Sequence, residues 1–95
     1  MAVAVDMSFR GATLDQYDQV IQKMGLQEGG EMPSGGISHF VTKTDDGIRV
    51  VDVWESKEDY ERFAQEQIGP HTQQVGIPSP PEVKYSDVHN YLTAG

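Results

Sequence analysis

The chain has no cysteine. Disulfides, zinc–thiolate sites, iron–sulfur clusters and thiol nucleophiles are therefore excluded. Basic residues are scarce: 7 Lys and Arg stand against 15 Asp and Glu, a formal net charge of −8. No stretch supplies the basic face that phosphate contacts need, which argues against nucleic acid. The same balance argues against an anionic membrane surface. Apolar runs are short, and none approaches the roughly 20 residues of a membrane-crossing helix. No basic segment precedes an apolar one near the N-terminus, so no secretory signal is read and a cytoplasmic location is expected. There is no Gly-x-Gly-x-x-Gly or phosphate-loop pattern, which disfavours nucleotide cofactors. No Gly-x-Ser-x-Gly marks a serine nucleophile.

What is present is the composition of a globular chain: 95 residues, 37% hydrophobic and 23% charged, enough for one domain spanning 1–95. Without crosslinks, a chain of this size gains its stability from its core, from a partner subunit, or from both.

Residues 2–9 alternate, with Val3, Val5, Met7 and Phe9 on one face; period two predicts a strand. Thr13 and Gln16 have capping-box spacing. Leu14, Tyr17, Ile21 and Met24, widened by Val20, then make one helical stripe, which predicts a helix over 13–24 closed by Gly25. Residues 27–36, with four glycines and a proline, form a loop. Strands are expected at 37–44 and 48–55, turned at Asp45-Asp46-Gly47, because Asp-Gly between β-rich runs is a strong hairpin signal. Ser56 caps a second helix carrying Tyr60, Phe63, Ala64 and Ile68, which Gly69-Pro70 is expected to end. One more helical turn over 70–75 is allowed, and 76–81 is rigid and extended. A last strand is expected over 82–92.

The order β-α-β-β-α-β with right-handed crossovers gives the split βαβ, ferredoxin-like arrangement of an α+β domain. Its four-stranded antiparallel sheet has both helices on one side. The third strand is apolar on two faces: Ile48, Val50 and Trp54 point one way, Val51 and Val53 the other. The second strand sets Ile37 and Val41 against Phe40. Strands apolar on both faces are covered on both, and two helices cover only one. A second copy of the same sheet is the simplest cover, so a homodimer is expected.

The run Gly36-Ile37-Ser38-His39-Phe40, the turn Asp46-Gly47, and Val50-Val51-Asp52-Val53-Trp54-Glu55-Ser56 followed by Tyr60 and Phe63 resemble small actinobacterial proteins of the dimeric α/β-barrel superfamily. That superfamily includes the antibiotic-biosynthesis monooxygenases, and the resemblance extends over about residues 2–92. It implies two paired sheets forming a barrel and a small-molecule pocket in each subunit. It also implies chemistry of monooxygenase, cyclase or isomerase type that needs no metal or flavin. Many monooxygenase-type members carry a His in the second helix; Tyr60-Glu61-Arg62-Phe63 has none.

With a two-residue hairpin loop, His39 lies across from Asp52 or Trp54, and all three share one sheet face. A carboxylate beside an imidazole orients the ring and raises its basicity, as a general base requires. His39 and Asp52 are therefore the catalytic candidates. Trp54 and Tyr17 are the pocket walls, with His89, Tyr85 and Tyr91 of the last strand as further ligand contacts. No His spacing suggests a metal site, so no metal and no cofactor is expected. Haem through His39, His71 or His89 is the one cofactor option left open. The expected function is a cofactor-independent enzyme on an apolar or aromatic metabolite; the alternative is a homodimer that binds such a ligand without chemistry.

Overall fold

A computed structural model describes residues 1–27, 29–78 and 80–93. Strand β1, Val3–Arg10, buries alternate residues. Val3, Val5, Met7 and Phe9 turn inward and Ala4, Asp6 and Ser8 outward, the period-two pattern of a half-covered strand. Helix α1, Leu14–Lys23, starts on a complete capping box. The Gln16 backbone N–H donates to Thr13 Oγ1 at 3.1 Å, and the Thr13 N–H donates to Gln16 Oε1 at 3.0 Å. Gly25, at φ +77°, takes the left-handed conformation that ends the helix. Val20 carries the buried stripe of α1, whereas Leu14 at its start is exposed.

Strands β2, Gly36–Thr44, and β3, Gly47–Trp54, form a hairpin. Thr44 pairs with Gly47, so the loop is Asp45-Asp46 and Gly47 already belongs to β3. Among the described residues no non-glycine has positive φ, and Gly47 is not among the positive-φ glycines. The glycine therefore does not serve a mirror-image turn. A Cβ at 47 would sit 2.0 Å from the Phe9 carbonyl oxygen of β1, so close backbone approach is what demands it.

Helix α2, Lys57–Phe63, begins at Ser56, whose Oγ accepts the Asp59 N–H at 3.1 Å. Gly69-Pro70 does not end this helical run, contrary to expectation. The chain continues through a π-helical turn, Ala64–Ile68, into helix α3, Gly69–Gln74. The wider turn closes with the Gly69 N–H on the Ala64 carbonyl. It re-registers the hydrogen bonding so that Pro70, which has no N–H, falls in the first turn of α3, where none is needed. The Gln16 side-chain amide reaches the Val75 and Gly76 carbonyls at 3.4 and 3.3 Å, which ties α1 to the end of α3.

Strand β4 covers only Glu82–Asp87, shorter than the expected 82–92. Asp87 pairs with Val3, the first residue of β1. A single bond from the Val88 N–H to the Ala2 carbonyl follows. The sheet is antiparallel in the order β2-β3-β1-β4, with the helical segments on one face: the expected ferredoxin-like βαββαβ arrangement. The core comprises Val3, Val5, Met7, Phe9, Ile48, Val50 and Trp54 of the covered face, together with Ala12 and Tyr60. Each fully buried large side chain contributes about 1.5–3 kcal/mol. On the opposite face Phe40 stands directly beside Val51 and is 52% exposed. Arg49 there grips the Asp6 carboxylate at 2.6–3.2 Å, which holds the Asp6 carboxyl below its ordinary range.

Candidate active site

His39 pairs directly with Asp52 across the β2–β3 ladder. The two-residue loop preserves this register, and the one irregularity of β2, between Gly36 and Ser38, lies beyond His39. Asp52 and Trp54 are two residues apart on one strand and so share its covered face. The result is a chain of hydrogen bonds. Asp52 Oδ1 lies 2.6 Å from His39 Nδ1, and Trp54 Nε1–H donates to Asp52 Oδ2 at 3.0 Å. The other ring nitrogen of His39, Nε2, meets the Tyr17 hydroxyl from α1. The Tyr17 and His39 rings are nearly parallel, 10° apart, with centroids at 5.8 Å.

Donor and acceptor chemistry orders this chain. Asp52 is 3% exposed, a depth at which an unpaired carboxylate costs several kcal/mol. Here each oxygen has a donor. Indole N–H only donates, so Asp52 is the acceptor from Trp54. As a carboxylate it also takes the Nδ1 proton of His39, leaving Nε2 as an acceptor for the Tyr17 O–H. Burial first, then the negative charges of Asp52 and Asp18, push the Tyr17 phenol up to about 12, so the phenol holds its proton at rest. Tyr17, His39 and Asp52 thus stand in the hydroxyl–imidazole–carboxylate order used to move a proton away from an oxygen.

The chain faces a cavity of about 720 Å³ between the sheet and α1, within the 300–1,000 Å³ of typical ligand sites. Met7, Phe9, Val50, Met24, Met32 and Phe63 make its apolar walls. Trp54, fully buried, backs the site and packs against Phe63 with ring centroids at 5.1 Å. The loop before β2 contributes Gly29 through Pro33 along one side.

Four of the seven expected site residues meet here: Tyr17, His39, Asp52 and Trp54. The other three do not line this cavity. Tyr85 shares the face, since His39 pairs with Asp52, and Val5, in the next strand, pairs with both Asp52 and Tyr85. It lies two strands from Asp52, roughly 10 Å at ordinary strand spacing. There it stacks edge-on against Tyr60, centroids at 5.9 Å, beneath the Lys57 ammonium, and borders a separate cavity. His89 and Tyr91 reach the site only if β4 runs to 92; the strand stops at Asp87 and both are exposed. The indole-to-carboxylate bond is the feature that sequence reasoning missed, although Asp-Val-Trp at period two carried the signal.

Among the described residues no cluster of three or more His, Asp or Glu is arranged to hold a metal ion. Of the histidines considered for haem, His39 already has a partner on each ring nitrogen and His71 Nε2 meets Gln67 Oε1 at 3.1 Å. No helix among the described residues is long and apolar enough to cross a membrane.

No family model matches the chain, and no curated protein matches it. Solved structures do. An antibiotic-biosynthesis-monooxygenase-like protein from Chloroflexus aurantiacus J-10-fl is similar over 100% of both chains, with a TM-score of 0.62 and 21% identity. A mutant of SnoaB, a cofactor-independent oxygenase from Streptomyces nogalater, is similar over 96% of this chain and 94% of that one, with a TM-score of 0.56 and 16% identity. At these identities the likeness establishes the shared ferredoxin-like fold.

Proposed function

We propose that this chain is a cofactor-independent enzyme that removes a proton from a small apolar, ring-bearing metabolite. The observation that carries the reading is the Tyr17–His39–Asp52–Trp54 chain opening on an apolar cavity of about 720 Å³. Tyr17 is the group at the cavity end. Its oxygen takes the substrate proton as its own proton passes to His39 Nε2, and Asp52 stabilises the resulting imidazolium. Such positioned transfer accelerates a step by roughly 10²–10⁴-fold. The substrate anion then reacts with dioxygen, closes a ring or is reprotonated elsewhere, which are the monooxygenase, cyclase and isomerase outcomes of one first step. The fold shared with SnoaB, an oxygenase that works without a cofactor, is consistent with the first.

The active form is a homodimer. Phe40 and Val51 lie side by side on the sheet face that no helix of the same chain covers. Leaving such side chains in water forgoes about 1.5–3 kcal/mol each. Solution scattering is expected to return twice the 10.5 kDa chain mass, and Phe40→Asp to return the single chain.

The test of the chemistry uses an enolisable ring ketone, β-tetralone, in heavy water. The wild-type protein is expected to speed exchange of its acidic C–H protons, read by proton NMR, and His39→Ala to lose that effect. Equal exchange by the two proteins overturns the assignment. A second reading, ligand binding without chemistry, draws support from one observation: the Tyr17 hydroxyl already occupies His39 Nε2. Binding of the ketone without exchange would establish it.

A further inference from the structure

The charge of the cavity narrows what can enter it. Its described lining residues include Asp18, Glu31 and Asp52, and neither Lys nor Arg. Asp52 is buried, and its two oxygens are already taken by His39 and Trp54. Its oxygens are therefore not free to bind a cation, and no Lys or Arg among the described lining residues stands against it. His39 is its titratable neighbour in the hydrogen-bonded chain, and Tyr17, bonded to the far side of the His39 ring, lines the cavity as well.

Resting on the proton-relay reading above, we infer that the cavity selects a substrate that arrives uncharged and carries one ionisable ring hydroxyl, its anion forming only inside. The balance of charge supports this order of events. When the substrate O–H bond breaks, its proton bonds to the Tyr17 oxygen, and the Tyr17 proton bonds to His39 Nε2. The electron pair stays on the substrate oxygen. His39 becomes cationic beside Asp52, so the new anion faces a pair with no net charge. A ligand that enters already ionised meets a lining with Asp18, Glu31 and Asp52 and no Lys or Arg among its described residues. It also sheds its hydration into apolar walls that offer no cation in return. Coulomb repulsion across about 10 Å at an effective dielectric of about 20, added to that desolvation, corresponds to roughly 10- to 100-fold weaker binding. Substrates tagged with a carboxylate, a phosphate or a nucleotide-bearing carrier are excluded on the same ground.

Three matched probes test the inference on the intact wild-type protein by isothermal titration calorimetry at neutral pH: 2-naphthol, methyl 2-naphthoate and 2-naphthoate. The naphthol and the ester are expected to bind, and the carboxylate to bind roughly 10- to 100-fold more weakly than its ester. Tyr17→Phe is expected to weaken the naphthol and leave the ester unchanged, because only the naphthol donates to the Tyr17 oxygen. Asp18→Asn with Glu31→Gln, both at exposed positions, is expected to close part of the gap without disturbing the core. A carboxylate that binds within about threefold of the ester overturns the charge selection. That outcome leaves the relay standing, since exchange of β-tetralone still reports on it. Failure of all three probes to bind overturns the selection and the ring-site reading together.

Discussion

Two cavities share the covered face of one sheet, and the larger has the poorer chemistry. The cavity beside β2, β3 and α1 measures about 720 Å³; the one between the helical run and β4 measures about 820 Å³. The second is lined by Tyr60, Tyr85, Ile77 and a group of prolines. Its aromatic groups are satisfied structurally: Tyr60 donates to Met7 Sδ at 3.2 Å, and Tyr85 stacks on Tyr60 under Lys57. Desolvation pushes both phenols above their ordinary range, with no imidazole to receive their protons. The first has an imidazole between a phenol and a buried carboxylate. Volume is common on a small α+β domain; a buried charge with a directed hydrogen-bond path to a cavity wall is not. That difference, rather than size, is why the function is assigned to the first.

The comparison is broken most sharply at Asp52. Asp52→Asn is expected to lower proton exchange by roughly 10²–10⁴-fold, read by the same NMR assay. The new amide donates to His39 Nδ1, which reverses the tautomer, and Nε2 can then no longer accept from Tyr17. Full activity in this variant would place the chemistry elsewhere.

Trp54→Phe keeps an aromatic ring and removes the indole donor. Asp52 Oδ2 is left buried and unpaired, and urea denaturation is expected to show a loss of about 1–3 kcal/mol. An unchanged midpoint would mean that the carboxylate finds another donor.

At the second cavity, Tyr85→Leu is expected to cost only about 0.5–1.5 kcal/mol of edge-to-face packing and to leave proton exchange as in wild type. A Tyr85→Leu protein that folds but does not catalyse exchange would erase the distinction between the two cavities.

The smallest effect is one of pH. The folded Tyr17 phenol ionises at about 12 against an ordinary 10.0, so its contribution to stability is complete below pH 10. It is lost as pH rises from 10 towards 12, because the unfolded chain releases the proton first. Tyr17→Phe is expected to make the stability profile flatter in that window, measured by thermal melts from pH 9 to 11. A wild-type profile no steeper than that of Tyr17→Phe would show that the phenol is as free in the folded chain as in the unfolded one.

Much of this arrangement was legible from residue order. Alternation in Val3–Phe9 and Ile48–Trp54, the Thr13–Gln16 and Ser56–Asp59 caps, and a short hairpin loop depend on local geometry, which neighbours in sequence set. A two-residue loop left His39 facing either Asp52 or Trp54, strand parity put Asp52 and Trp54 on a common face, and the Asp45-Asp46 loop of the folded hairpin decided for Asp52. Two expectations failed. β4 ends at Asp87, opposite Val3 where β1 starts, and His89 and Tyr91 lie beyond it, outside the site. Gly69-Pro70 passed inside a helical run because the π turn moved the missing donor into a first turn.

Local order thus determined the elements, their sequence and the candidate pair of acid and base, since backbone periodicity and capping act within a few residues. Only the folded packing decided which of seven plausible side chains share a cavity. It also decided that a phenol from α1 closes on the imidazole, a contact between residues 22 apart. That contact depends on where helix and sheet come to rest against each other, a position that no local rule specifies.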